Sequence, residues 1–91
     1  MLVIISYDII DDKRRTILSK KLLDFAKRVQ YSVFEGELNN EQIKTMLKKI
    51  LPYIDKNEDS LRIYKLCHNC ATAIESHGVK KGWIEEDVIV V

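Results

Sequence analysis

Residues 2–8 read Leu2-Val3-Ile4-Ile5-Ser6-Tyr7-Asp8, a β-rich run too short for a helix and too apolar for a surface loop. It predicts a central strand. Side chains alternate along a strand, so Leu2, Ile4, Ser6 and Asp8 share one face, while Val3, Ile5, Tyr7 and Ile9 share the other. The apolar face with its tyrosine suits a layer of helices. Asp8 then ends the strand on the face left open or given to a partner.

After this strand, Asp11 or Asp12 can cap a helix over about residues 12–28, with Leu18, Leu22, Phe25 and Val29 as its apolar stripe and a basic opposite face. Val29 to Leu38 (VQYSVFEGEL) returns to extended structure, as one bent strand or a short hairpin, and Gly36 suggests a bulge or tight turn. Asn39 and Gln42 have capping-box spacing ahead of a second stripe, Ile43, Met46, Leu47, Ile50, Leu51 and Ile54. Pro52 ends or kinks that helix near residue 51. The polar run Asp55 to Asp59 is a loop and Ser60 to Leu66 another strand; Cys67 to Glu75 is ambiguous. Gly78 and Gly82 bracket a basic turn, and residues 87–91 close the chain as a short apolar strand.

This order predicts an α+β fold: a ferredoxin-like sandwich, two helices on one face of a mainly antiparallel sheet, with an added C-terminal strand. The 91 residues, 46% apolar and 32% charged, suit one domain over residues 1–91 and exclude a disordered tail. A chain of this size buries roughly 60–65% of its unfolded surface, so an apolar sheet face left in water is costly. Two protomers packing face to face would cover it.

The longest apolar runs, Leu2 to Ile5 and Val88 to Val91, fall far short of the roughly 20 residues of a membrane span, so no membrane partner is expected. The N-terminus does not read as a secretory signal, and two cysteines are too few for a disulfide framework; the expected localisation is cytoplasmic. The net charge of +1 hides an asymmetry. Residues 11–28 hold seven basic residues against three acidic, a local +4, and the last nine residues carry −3. Such a basic segment is either a solvated helix surface or a nucleic-acid face.

Asp8 is either a turn residue or a hard-metal ligand. Magnesium takes oxygen ligands, keeps several waters and can be held by one or two carboxylates, the second of which a two-fold axis would supply. Arg14 and Arg15, slightly unfavourable at a helix N-terminus, gain a reason if they hold phosphate oxygens. Ser32 and Gln30 share parity with Phe34 if no bulge intervenes, and Phe34 reads first as a core or dimer-packing residue. Cys67-His68-Asn69-Cys70 is a CxxC whose default is a pair of packed or unremarkable thiols. A redox pair and a zinc site completed by His68, His77 or a second chain are the sharper alternatives.

Three stretches together resemble the second CRISPR-associated protein family, the small subunit of the spacer-acquisition complex. These are Tyr7-Asp8-Ile9, Lys13-Arg14-Arg15, and Arg28-Val29-Gln30-Tyr31-Ser32-Val33-Phe34-Glu35. Arg62-Ile63-Tyr64 and the apolar C-terminus extend the likeness over nearly the whole chain. The resemblance implies a ferredoxin-like homodimer whose C-terminal strand, residues 87–91, packs on the partner protomer, with Asp8 of each protomer holding Mg2+ or another divalent metal across a cleft. It further implies a metal-dependent endonuclease acting on RNA or double-stranded DNA, a scaffold joined to a CRISPR integrase subunit, or both. On this reading Asp8 is the catalytic and metal-binding residue; Arg14, Arg15 and Arg28 bind nucleic acid; Tyr7, Ser32 and Phe34 support the cleft or dimer. A second reading, from another class, is a small regulatory or redox domain using Cys67 and Cys70.

Overall fold

The computed structural model describes residues 1–75 and 77, and within them the first strand, β1 (Leu2–Asp8), lies inside a four-stranded sheet. The remaining elements are α1 (Asp12–Leu22), β2 (Lys27–Gln30), β3 (Val33–Glu37), α2 (Asn40–Ile50), a 3-10 turn at Leu51–Tyr53, β4 (Ser60–Leu66) and α3 (His68–Thr72). The sheet order is β2-β3-β1-β4 with every neighbouring pair antiparallel. This is the ferredoxin-like arrangement expected from the order of elements. The expected strand over residues 87–91 and the basic turn around Lys80 and Lys81 lie outside the described residues.

Each element has a local cause. Asp11 caps α1 by accepting the Arg14 N–H at 2.9 Å. Asn39 and Gln42 form the full capping box of α2, each side chain accepting the other's backbone N–H, at 2.8 and 2.9 Å. Pro52 sits inside the 3-10 turn that ends α2, where its missing N–H costs little. Val3, Ile5 and Tyr7 on β1 and Phe34 on β3 meet Leu18 and Leu22 of α1 and Ile43, Met46 and Ile50 of α2 in one core. Each such side chain contributes roughly 1.5–3 kcal/mol on burial. Neither α1 nor α2 covers the opposite sheet face. There Ile4 and Ser6 are half-buried, Asp8 and Arg62 are exposed, and Tyr64 is 44% exposed.

Two expectations change, and one open alternative is decided. The first helix stops at Leu22, six residues short of the pattern's reach, because Phe25 and Ala26 both turn their N–H groups back to the Leu22 carbonyl, at 2.9 Å each. The chain then enters β2, whose ladder with β3 outweighs the helical spacing of Phe25 and Val29. Residues 29–38 resolve as part of a hairpin rather than one bent strand, and the irregularity falls between Arg28 and Gln30, at Val29. Gly36 marks neither a bulge nor a turn. It lies within β3, where a Cβ would stand 2.7 Å from the Phe25 carbonyl oxygen and 3.1 Å from the Ala26 Cβ, so its role is to let the chain leaving α1 pass close above the sheet.

Candidate nucleic-acid and metal site

The end of β1, the β2–β3 turn, the start of β4 and the start of α1 gather at one end of the sheet. Asp8 is the last residue of β1, opposite Ser60 of β4, and its side chain is exposed on the face that neither α1 nor α2 covers. Ser6 pairs with Arg62, which brings Arg62 onto the same face diagonal to Asp8. Arg62 in turn donates to the Tyr64 hydroxyl at 3.4 Å. The alternation of Ser60, Arg62, Tyr64 and Leu66 carried this placement in the sequence, although Arg62 had no assigned role there.

Among the described residues no group of three or more histidine, cysteine, aspartate or glutamate side chains converges to hold a metal ion. Asp8 is the carboxylate that ends β1 on this face. That donor suits a water-rich hard cation such as magnesium, which one or two carboxylates can hold.

The other basic residues lie on the helix side. Tyr7, Arg15, Thr16, Ser19, Arg28 and Tyr31 line a cavity of about 260 Å³. Arg15 donates to the Ile9 carbonyl at 3.0 Å, pairs with Asp12, and lies 5.9 Å from the centre of the Tyr31 ring. Arg28 donates to the Tyr31 carbonyl at 3.0 Å and stacks 5.2 Å from the centre of the Phe34 ring. Phe34 is fully buried, with the Tyr7 ring 6.2 Å away. Burial pushes the Tyr7 hydroxyl above its ordinary range, with Arg28 pulling it back, so it remains a neutral donor at pH 7. Ser32 sits in the turn and accepts the Tyr7 N–H on its backbone oxygen at 3.1 Å. Because of the irregularity at Val29, Gln30 pairs with Val33 and Arg28 with Phe34, so Gln30 and Phe34 do not share a face. Tyr31, 69% exposed between the two arginines, went unassigned from sequence; its aromatic ring within the basic motif was the available signal.

Arg14 stands apart from both groups. Its guanidinium lies 3.2 Å from Glu58, 3.3 Å from Asp59, 3.9 Å from Asp55 and 4.0 Å from Asp11. Asp59, whose side chain is wholly buried, also accepts the N–H groups of Ile10 at 3.0 Å and Asp55 at 2.8 Å. This knot ties α1 to the loop before β4, immediately behind Asp8 and Ser60. The Asp55 N–H, with the Ile10 N–H and Arg14 assisting, lowers the Asp59 pKa below the ordinary 3.8. A lowered folded value means the stabilisation is complete above the unfolded pKa and disappears as pH falls through the folded one. Asp59→Asn is therefore expected to lower the melting temperature by several degrees at neutral pH, with the gap from wild type closing as thermal melts are taken below about pH 4.

A family model described as CRISPR associated protein Cas2 matches residues 1–74. A "CRISPR-associated endoribonuclease Cas2 3" of Chloroflexus aurantiacus is 39% identical over 79 residues, spanning 87% of this chain and 85% of the relative. A "CRISPR-associated endonuclease Cas2" of Halalkalibacterium halodurans is 35% identical over 95 residues, 99% of each. Among solved structures, the hypothetical protein TT1823 of Thermus thermophilus superposes with a TM-score of 0.76 at 32% identity, over 93% of this chain and 96% of that one. Streptococcus pyogenes Cas2 superposes with a TM-score of 0.72 at 29% identity, over 81% and 95%.

Proposed function

We propose that this chain, which belongs to the CRISPR-associated Cas2 family, acts in CRISPR adaptation as a dimeric nucleic-acid-binding protein whose paired Asp8 carboxylates support magnesium-dependent phosphodiester cleavage. The observation that carries this reading is the exposed Asp8, ending a central strand on a sheet face that neither long helix covers. Relatives named endoribonuclease and endonuclease favour cleavage of a phosphodiester backbone over other uses of a lone carboxylate. The redox-domain reading loses its support on the same ground.

Face-to-face pairing of two sheets would shelter Ile4 and Tyr64 and bring the two Asp8 side chains toward one another. Magnesium held there would lower the pKa of a bound water and neutralise charge on the scissile phosphate. Arg62, on the same face, is suited to hold a phosphate oxygen, and Arg15 and Arg28 to track the backbone beyond the cleft, with Tyr31 exposed beside them. Arg14 serves this surface indirectly, by fixing the loop behind it. A scaffold role with an integrase subunit uses the same dimer and the same arginines without needing the cleavage step.

The test uses the purified chain on RNA and on double-stranded DNA, with magnesium titrated and then removed by a chelator, beside a light-scattering mass. Expected are a dimer and cleavage of at least one substrate that stops on chelation. A monomer at micromolar concentration, or cleavage indifferent to the chelator, would remove the paired-carboxylate site. Binding provides a separate check. Replacing both Arg15 and Arg28 with alanine is expected to reduce the log–log salt slope of DNA affinity by about two, close to one for each phosphate that an arginine neutralises. Arg14→Ala should leave the slope unchanged and lower the melting temperature instead.

A further inference from the structure

Cys67 and Cys70 bracket the first turn of α3 at the far end of β4 from Asp8. Both are free thiols and both are exposed, so of the default readings, packed or unremarkable, packing does not hold. Cys67 is the N-cap, extended in backbone, and its carbonyl accepts the Ala71 N–H at 2.9 Å, so Cys67 and Cys70 stand on one helical turn. Residues three apart on such a turn have Cβ atoms about 5–6 Å apart, and a disulfide closes at about 3.5–4.5 Å. The turn has no side-chain cap to resist that small tightening. Zinc is a poor fit. Cys67, His68 and Cys70 adjoin in sequence without converging as donors, and His77 faces Glu75 at 3.5 Å.

The two sulfurs are not equivalent. Proximity of the Cys70 backbone N–H, then of the Cys70 thiol, lowers the Cys67 pKa below the ordinary thiol value, while the neighbouring Cys67 raises that of Cys70. One thiol is thus set up to attack and its neighbour to resolve.

We propose that Cys67 and Cys70 form a dithiol modification site that a low-molecular-weight disulfide oxidises to an intrachain disulfide. The Cys67 thiolate attacks one sulfur of the small disulfide; its S–S bond breaks and one small thiolate leaves. Cys70, giving its proton to solvent, then attacks the Cys67 sulfur of the mixed disulfide and expels the second small thiolate. Both cysteines are oxidised and one small disulfide is reduced to two thiols. The product closes the first turn of α3, directly after β4 ends at Leu66. The site is independent of Asp8 and does not rest on the cleavage reading.

The test incubates the full chain with oxidised glutathione, followed by intact mass and alkylation of residual thiols. Wild type is expected to lose both alkylatable thiols and about 2 Da, as two hydrogens leave on closure of one disulfide. Cys70→Ser is expected to accumulate one glutathione adduct at Cys67, and Cys67→Ser to react several-fold more slowly at neutral pH, because the remaining Cys70 lacks the backbone N–H that favours the Cys67 thiolate. Wild type that carries two glutathiones, links to a second chain, or keeps both thiols would overturn the proposal. So would equal reactivity of the two single variants.

Discussion

Asp8→Asn is expected to cut magnesium-dependent cleavage by roughly 10²–10³-fold, since a metal supplies several kcal/mol of transition-state stabilisation and each 1.36 kcal/mol is tenfold. The exchange keeps the shape of the side chain and removes the negative charge that a hard cation needs. Asp8 is exposed at the end of its strand and opposite Ser60, so the substitution leaves the core intact. The melting temperature and the light-scattering mass should match wild type. DNA binding should also persist, because Arg15 and Arg28 lie on the helix side of the sheet, facing their cavity with Tyr31. Full cleavage by the variant would refute the catalytic assignment. Lost cleavage with lost association would instead make Asp8 an interface residue.

What the sequence disclosed depended on how local each determinant was. β1, the Asn39 and Gln42 capping box and β4 depend on neighbours within a few residues, and their extents match the sequence pattern. The end of α1 does not, because it is set by the pairing of β2 with β3 and by the Phe25 carbonyl crossing Gly36, a contact between residues 11 positions apart. Arg14 illustrates the same limit at the site. Its partner Glu58 lies 44 residues away, so a basic residue opening a helix looked available for phosphate when its charge is engaged by the loop before β4. Asp8 was legible because strand parity alone gives its face. The shared parity of Gln30 and Phe34 held only without a bulge, and one irregularity, at Val29, reverses the strand's parity from that residue onward.

Phe34→Ala is expected to destabilise the fold by about 3–5 kcal/mol, the usual cost of emptying a large aromatic site in a core. Small domains hold only about 5–15 kcal/mol in total, so urea melts should show the variant near the edge of folding. Phe34 is fully buried, packs near Tyr7 and lies under the Arg28 guanidinium. Its removal therefore acts on the core and on the basic cavity together. Phe34→Leu separates the two effects, since it keeps most of the apolar volume, costing about 1.5 kcal/mol or less, but takes away the aromatic face on which Arg28 rests. A folded Phe34→Leu protein with DNA affinity weakened about as much as in Arg28→Ala would show that the ring positions the arginine. Wild-type affinity in that variant would confine Phe34 to the core and leave the Tyr31 carbonyl as the group that orients Arg28.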